Sequence, residues 1–464
     1  MRVSIQFLWV LVRGTLDALL GLRTPTAAVV RTLFEEPDHP LAAKPTLRRT
    51  AQLSWRALMT VLTNRDEAKV EPAPAIILGV PYKPIREQYV REFGETAPVQ
   101  FIRQDNCPNG FSLIGRLLAA VIILGFCCVC LPAPLLFRTN SAFERIGEIA
   151  RALRCSGLAR RLKPERVYFF SAFERNANLI AYLIMAGSAT RLIKVPSPNP
   201  LSMHYRICLA SEFLLTSPLQ LPEYEQFRED WCVEKVWLWR TPGHVSFPED
   251  SYRRGEGDGK SIGMLSGGQW QRFERGDYFD DERKKNLRAE EALHRALREY
   301  LELHPRTRVT VYPHPSEKAD EKAYGRALEV YGERIGKDRV DVLKSSERTH
   351  DRFADSDVFC SLWSTSALEA LYCGHKLIFT RLEGEPSADE EALAGIHVFD
   401  KESLFRKLDE CLGTTAQQYF EQHDLLKYRH DYYDAGPRLV DGVISSDGET
   451  KTEQPLLINA ESRS

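Results

Sequence analysis

A run of hydroxyl side chains at a strand-to-helix junction is the strongest chemical signal in the chain. Leu362-Trp-Ser364-Thr365-Ser366-Ala-Leu-Glu369 follows an apolar, strand-like stretch (358–362) and enters a helix ending at Gly374. The start of a helix holds unpaired N–H groups and the positive end of its dipole, so phosphate binds there readily. Ser364, Thr365 and Ser366 add hydroxyls at that point. Ser366-x-x-Glu369 also has the spacing of a capping box, which needs no ligand, but three consecutive hydroxyls exceed what a cap requires. About fifty residues earlier, Tyr312-Pro-His314-Pro-Ser316 leaves another strand-like run, 308–312. Its prolines stiffen the loop. The imidazole of His314 could donate to a phosphate or protonate a leaving group, because its ordinary pKa lies near working pH.

Other candidates are weaker. Ser266, Gly267 and Gly268 follow a short strand (261–265), and glycine there either lets backbone approach a ligand or simply turns the chain. The surrounding Leu265-Ser-Gly-Gly-Gln269 spells the signature pentapeptide of ABC-transporter ATPases. The Walker A pattern that should precede it fails, because Arg254 stands where a glycine is required. The pentapeptide also begins almost directly after Lys260, where those ATPases have a long intervening stretch. Glu174, just past the 167–170 strand, is a candidate acceptor base, with a salt bridge to Arg175 or plain exposure as the alternative. The proline-rich stretch 196–204 either shapes an acceptor pocket containing His204 or only starts a helix. Cys127 and Cys130 have C-x-x-C spacing inside an apolar run, and no second pair completes a zinc set, so no metal and no cofactor is expected.

The elements that must position these residues alternate. Strands at 75–80, 99–102, 167–170, 189–195 and 213–216, with helices at 142–153, 176–186 and 201–210, read as βαβ units of a parallel sheet. A charged, Gly-rich linker (251–260) separates them from a second series. That series has strands at 261–265, 308–312, 340–343, 358–362, 377–380 and 397–399, and helices at 282–303, 323–330 and 402–412. In 282–303, Leu293, Ala296, Leu297, Tyr300 and Leu301 form the stripe of a helix packed on a sheet. The division expected is a helical region at 1–70, an acceptor domain at 71–250, a nucleotide-sugar-binding domain at 258–412, and a closing segment with a disordered tail at 413–464. Ligands of such α/β domains sit outside the carboxyl ends of parallel strands.

The chain has 464 residues, enough for two or three domains, and 43% hydrophobic against 27% charged residues excludes disorder as the main story. A formal net charge of −2 gives no whole-chain nucleic-acid footprint, so no nucleic acid is expected as partner. Ten cysteines are too sparse for a disulfide scaffold, which favours a reducing, cytoplasmic setting. Residues 3–12 are apolar but too short to span a bilayer and lack a cleavage site. Residues 117–137 hold no charge, yet Pro132 and Pro134 would break a spanning helix. The expectation is a segment that dips into one leaflet or lies along it, with a buried hairpin as the alternative. The implied location is the cytoplasmic face of an inner membrane.

The two loops together, His-Pro after one strand and Ser/Thr-Ser before a Glu-bearing helix after another, resemble the GT-B glycosyltransferases. The resemblance is to bacterial capsule and lipooligosaccharide transferases, including sialyltransferases and polysialyltransferases with HP and SS/ST motifs. It covers about 150 residues of the C-terminal half, and its motifs are short. It implies an α/β fold of two Rossmann-like, doubly wound domains facing across a cleft. It also implies a nucleotide-sugar donor, a glycan or lipid-linked acceptor, and inverting, metal-independent transfer in surface-polysaccharide synthesis, with helix dipole and side-chain donors replacing a cation. His314 would contact the nucleotide phosphate, Ser364, Thr365 and Ser366 would hold it, and Glu369 would lie near the ribose. Those sialyltransferases carry an acidic-acidic-glycine triplet in the N-terminal domain, and none occurs here before residue 250. Asp280-Asp281 lies in the other domain without the glycine. The donor sugar and the base therefore stay open. A nucleotide-sugar epimerase, a polyol-phosphate transferase and a non-catalytic nucleotide-binding relative are the alternatives on the same fold.

Overall fold

The alternating apolar runs assemble into two parallel sheets, one in each of two units. The computed structural model describes residues 2–20, 22–34, 47–63, 72–78, 99–102, 107–108, 110–130, 141–170, 177–195, 207–215, 217–238, 260–276, 281–344, 346–362, 364–382, 393–430 and 438–442. Unit 1 comprises Met1–Gly243 and Pro437–Ser464, and unit 2 His244–Gly436. The chain thus returns to unit 1 at Pro437, inside the segment read from sequence as a closing helix and tail.

Unit 1 contains β1 (Ala75–Leu78), β2 (Val99–Ile102), β3 (Arg166–Phe170), β4 (Arg191–Val195), β5 (Leu209–Leu215), β6 (Cys232–Leu238) and, on return, β13 (Arg438–Gly442). Their order is β13-β6-β5-β4-β3-β1-β2, parallel except for β13, which lies antiparallel on β6. The helices Arg2–Leu19, Pro25–Phe34, Leu47–Leu62, Leu113–Cys130, Ser141–Leu162 and Ala177–Met185 belong to this unit.

One sequence expectation fails here. The helix expected over 201–210 is contradicted at its end, because Leu209 and Ala210 open β5 (201–206 lie outside the described residues). All of β5 is buried, including Ser211 and Glu212. Glu212 is held by Trp237 Nε1 at 2.8 Å and by Arg191 at 3.3 Å. A buried carboxylate with partners of its own interrupts the apolar run that would have identified a central strand. β6 and the helix Leu221–Phe227 were not anticipated at all.

The apolar 117–137 segment is described as far as Cys130, in the helix Leu113–Cys130. One face, with Ala119 and Ile123, packs into the core, while Leu117 and Val121 on the other face are exposed. Pro132 and Pro134 lie outside the described residues. No described helix is long and apolar enough to cross a membrane.

Unit 2 contains β7 (Ser261–Leu265), β8 (Arg308–Tyr312), β9 (Val340–Val342), β10 (Val358–Ser361), β11 (Lys376–Thr380) and β12 (His397–Val398). The order β12-β11-β10-β7-β8-β9 is parallel throughout. Counted within the unit, this is the 3-2-1-4-5-6 arrangement of a doubly wound dinucleotide-binding fold. Helix Asp281–Leu303 connects β7 to β8. Its expected stripe (Leu293, Ala296, Leu297, Tyr300 and Leu301) is at most 2% exposed.

Candidate functional site

In a sheet of this order the chain reverses its winding direction between the first and fourth strands, here β7 and β10. A crevice opens there beyond the carboxyl ends. Register places Leu265 of β7 beside Tyr312 of β8 on one side and Ser361 of β10 on the other. The loops leaving these strands therefore start level with one another, across about 10 Å at the usual strand spacing. They carry Ser266–Gly268, His314 and Ser364–Ser366, so one sheet edge gathers every C-terminal candidate except Glu369, which lies along the following helix.

The β7 loop is built around a buried carboxylate that the sequence reading passed over. Glu290, 2% exposed on helix Asp281–Leu303, accepts from the Gly267 amide at 2.8 Å and the Gln269 amide at 3.0 Å. The Gly268 amide donates instead to Ser266 Oγ at 2.9 Å. The sequence leaves this stretch either as a wall beside a ligand or as a plain turn, and these three amides donate within the protein. Ser266, 5% exposed, also lies within hydrogen-bond distance of Tyr331 Oη, at 2.7 Å. Burial, followed by the neighbouring Glu317, pushes the Glu290 carboxyl up to about 7.

Glu317 completes a brace between the first two loops. It accepts from the His314 amide at 2.6 Å and from Tyr331 Oη at 2.8 Å, and Trp270 Nε1 donates to the same tyrosine oxygen at 3.1 Å. Gly268 sits at φ +67, and a Cβ on it would stand 3.1 Å from His314 Cβ. Only glycine tolerates both the backbone and the contact. Gly268→Ala is expected to lower stability by about 1–2 kcal/mol and to displace His314. Thermal denaturation combined with nucleotide affinity measures both effects, and a variant normal in each would show that the two loops are not mutually braced.

His314 is half-buried, and its Nδ1 accepts from the Ser316 amide at 3.2 Å. That bond requires an unprotonated Nδ1, so the neutral ring carries its proton on Nε2. Burial, then the charge of Arg272, lowers the imidazole to about 4. At neutral pH His314 is therefore an uncharged N–H donor rather than a ready general acid. An arriving anion would raise its pKa.

At the β10 loop, Ser364 rather than Ser366 caps the helix Thr365–Tyr372, with its Oγ accepting from the Ser366 amide at 3.1 Å. The capping box read at Ser366–Glu369 is not formed. Glu369 lies too far along this helix to reach back, and pairs with His350 Nε2 at 2.8 Å. The hydroxyls of Thr365 and Ser366 and the amide of Thr365 have no hydrogen-bond partner among the described residues. They are open donors at the first turn of a helix, at the switch point.

Glu174, His204 and Asp280 lie outside the described residues, as does Trp363. Among the described residues no group of three or more His, Cys, Asp or Glu side chains could hold a metal ion. Burial raises the Cys127 thiol, which disfavours the thiolate needed for redox or metal chemistry. The missed residues had a signal. Glu290 and His294 continue the apolar stripe of their helix two turns and one turn back from Leu297. His294 is 0% exposed, and neither ring nitrogen has a hydrogen-bond partner among the described residues.

No protein-family model and no curated protein matches the chain. Among solved structures it is similar to the S. aureus MnaA–UDP co-structure at 11% identity, covering 77% of this chain and 92% of that one, with a TM-score of 0.43. The UDP-GlcNAc 2-epimerase from Neisseria meningitidis bound to UDP-GlcNAc aligns at 9% identity over 78% and 97%, with a TM-score of 0.41. A glycosyltransferase from Rickettsia africae aligns at 11% over 78% and 92%, with a TM-score of 0.37.

Proposed function

We propose that unit 2 binds the phosphate of a nucleotide-activated sugar, and that the chain is a GT-B-type glycosyltransferase. It would pass that sugar to a glycan or lipid-linked acceptor of a surface polysaccharide, with inversion and without metal. The observation that supports this reading best is the set of open donors on Thr365 and Ser366, at a helix start on the switch point of a 3-2-1-4-5-6 sheet. His314, a neutral N–H donor on the neighbouring edge, adds a contact to the same phosphate. Ser266, Gly267 and Gly268 serve as the wall that fixes His314. Glu174, four residues past β3, is assigned as acceptor base.

A thermal-shift screen against CMP, CDP, UDP, GDP and their sugars tests the site directly. A ligand at a hundred times its Kd stabilises the native state by about 2.7 kcal/mol. The His314→Ala variant, and the Thr365→Ala and Ser366→Ala pair, should each weaken nucleotide binding by about 1–3 kcal/mol per lost charge-assisted bond. Stabilisation by none of these ligands would sink the assignment. Product analysis then separates the chemistries. Free nucleotide with a glycosylated acceptor marks transfer, an isomerised nucleotide sugar marks an epimerase, and binding without turnover marks a non-catalytic relative. Glu174→Gln should abolish transfer while leaving nucleotide affinity unchanged.

A further inference from the structure

Two helices of unit 1 are apolar on the face turned away from their own core. In Arg2–Leu19 the inward positions include Phe7 and Val10, both 0% exposed. Ile5, Trp9, Val12, Leu16 and Leu19 recur at helical spacing on the outer face, each at least 49% exposed. On Leu113–Cys130, Ile114, Leu117, Val121 and Leu124 repeat the pattern at 49–72% exposure, opposite the buried Ala119 and Ile123. The two helices touch, and the second also packs against Leu47–Leu62, which presents Trp55. An exposed apolar area of this extent marks an interaction surface.

Charge identifies what covers it. Among the described side chains of these three helices, Arg13, Arg56 and Arg116 stand against one carboxylate, Asp17. That carboxylate is buried and already bound by Thr24, Thr26 and Arg13. A cavity of about 750 Å³ lies beside the first residues of Leu113–Cys130, lined by Ser112, Arg160, Arg161 and Lys163 with Glu165 as its acid. Gln6 of the first helix donates at 3.0 Å to Ala186 O, next to the Gly187–Thr190 wall of that cavity. Basic charge thus sits where both apolar stripes begin. A second copy seated two-fold on this face would bring arginine against arginine, whereas an anionic lipid surface complements it.

We propose that these two helices lie in the plane of an anionic bilayer surface, with Trp9, Val12, Leu117 and Val121 among the acyl chains and the arginines at the phosphates. In-plane amphipathic helices bind by buried apolar area together with attraction to anionic lipid. The inner halves of both helices belong to the protein core, so the contact is monotopic. It is independent of the nucleotide reading.

The test is flotation of the full chain with vesicles of phosphatidylcholine, alone or with about one-third phosphatidylglycerol. Partition should be about tenfold or more stronger into the anionic vesicles and should weaken with salt. The pair Trp9→Gln and Val121→Gln should reduce it by about tenfold or more, with circular dichroism unchanged. Lys163→Glu, a surface change, should reduce binding to anionic vesicles alone and keeps the test decisive if the pair misfolds. No partition into either vesicle, or equal partition into both, overturns the proposal. A concentration-dependent dimer dissolved by the Gln pair would overturn it too, by assigning the face to a second copy.

Discussion

Replacing Glu290 with alanine is expected to destabilise unit 2 by about 3–5 kcal/mol. The carboxylate accepts from the backbone amides of Gly267 and Gln269, and it is itself buried. Each orphaned buried donor costs about 1–3 kcal/mol, and the lost side chain adds a cavity. Glu290→Gln should cost less, because its carbonyl still serves one amide. Chemical denaturation of the three proteins, followed through a unit 2 signal, gives the ranking. Glu290→Ala at full stability would mean that water reaches both amides, and the loop would then be open enough to admit a ligand phosphate where the carboxylate now sits.

His294→Phe is expected to raise stability at neutral pH by about 1–2 kcal/mol and to change its pH dependence. The buried imidazole leaves both nitrogens unpartnered and meets the Tyr331 ring edge-on at 5.4 Å, a contact that phenylalanine keeps. Exchanging an unsatisfied polar group for an apolar one of similar shape is neutral or favourable. Burial, then Arg334 and Arg295, holds His294 down to about 3. Between its ordinary 6.5 and about 3, the unfolded chain binds a proton that the folded one refuses, so its contribution falls as pH falls, by about 1.4 kcal/mol per unit. Glu290 runs the other way. Its raised pKa stabilises fully below 4.5, and that contribution is lost as pH rises through about 7. The two slopes oppose each other between pH 4.5 and 6.5. The phenylalanine variant should lose the histidine slope and become relatively more resistant to acid. Parallel stability curves for variant and parent from pH 4 to 7 would show that His294 titrates normally in the fold.

Unit 2 was legible in the sequence because its strands are short apolar runs closed by turn residues, and β8 appears at the bounds its pattern marks. The order of those strands was not legible, since parallel pairing leaves no trace in local spacing. At the site, the hydroxyl run and His314 stood out by type, but the helix start shifted by two residues because Ser364 caps it. Glu290 escaped notice because a carboxylate in a charged helix reads as solvated. Only its phase relative to Leu293 and Leu297 marks it as internal. In unit 1, β5 was obscured by Ser211 and Glu212, whose partners Leu192 and Trp237 lie on other strands.

The return of β13 to β6 bears on how the protein is made. Unit 2 is an insertion, with unit 1 chain on both sides of it. During synthesis β6 emerges early, and the strand that covers its outer edge follows only after all of unit 2. Until then that edge exposes unpaired N–H and C=O groups, a template for another chain. The nascent protein carries this hazard for the nearly two hundred residues between them. At about 5–20 residues per second that interval is on the order of ten to forty seconds. A ribosome stalled within unit 2 should accordingly yield an aggregation-prone product.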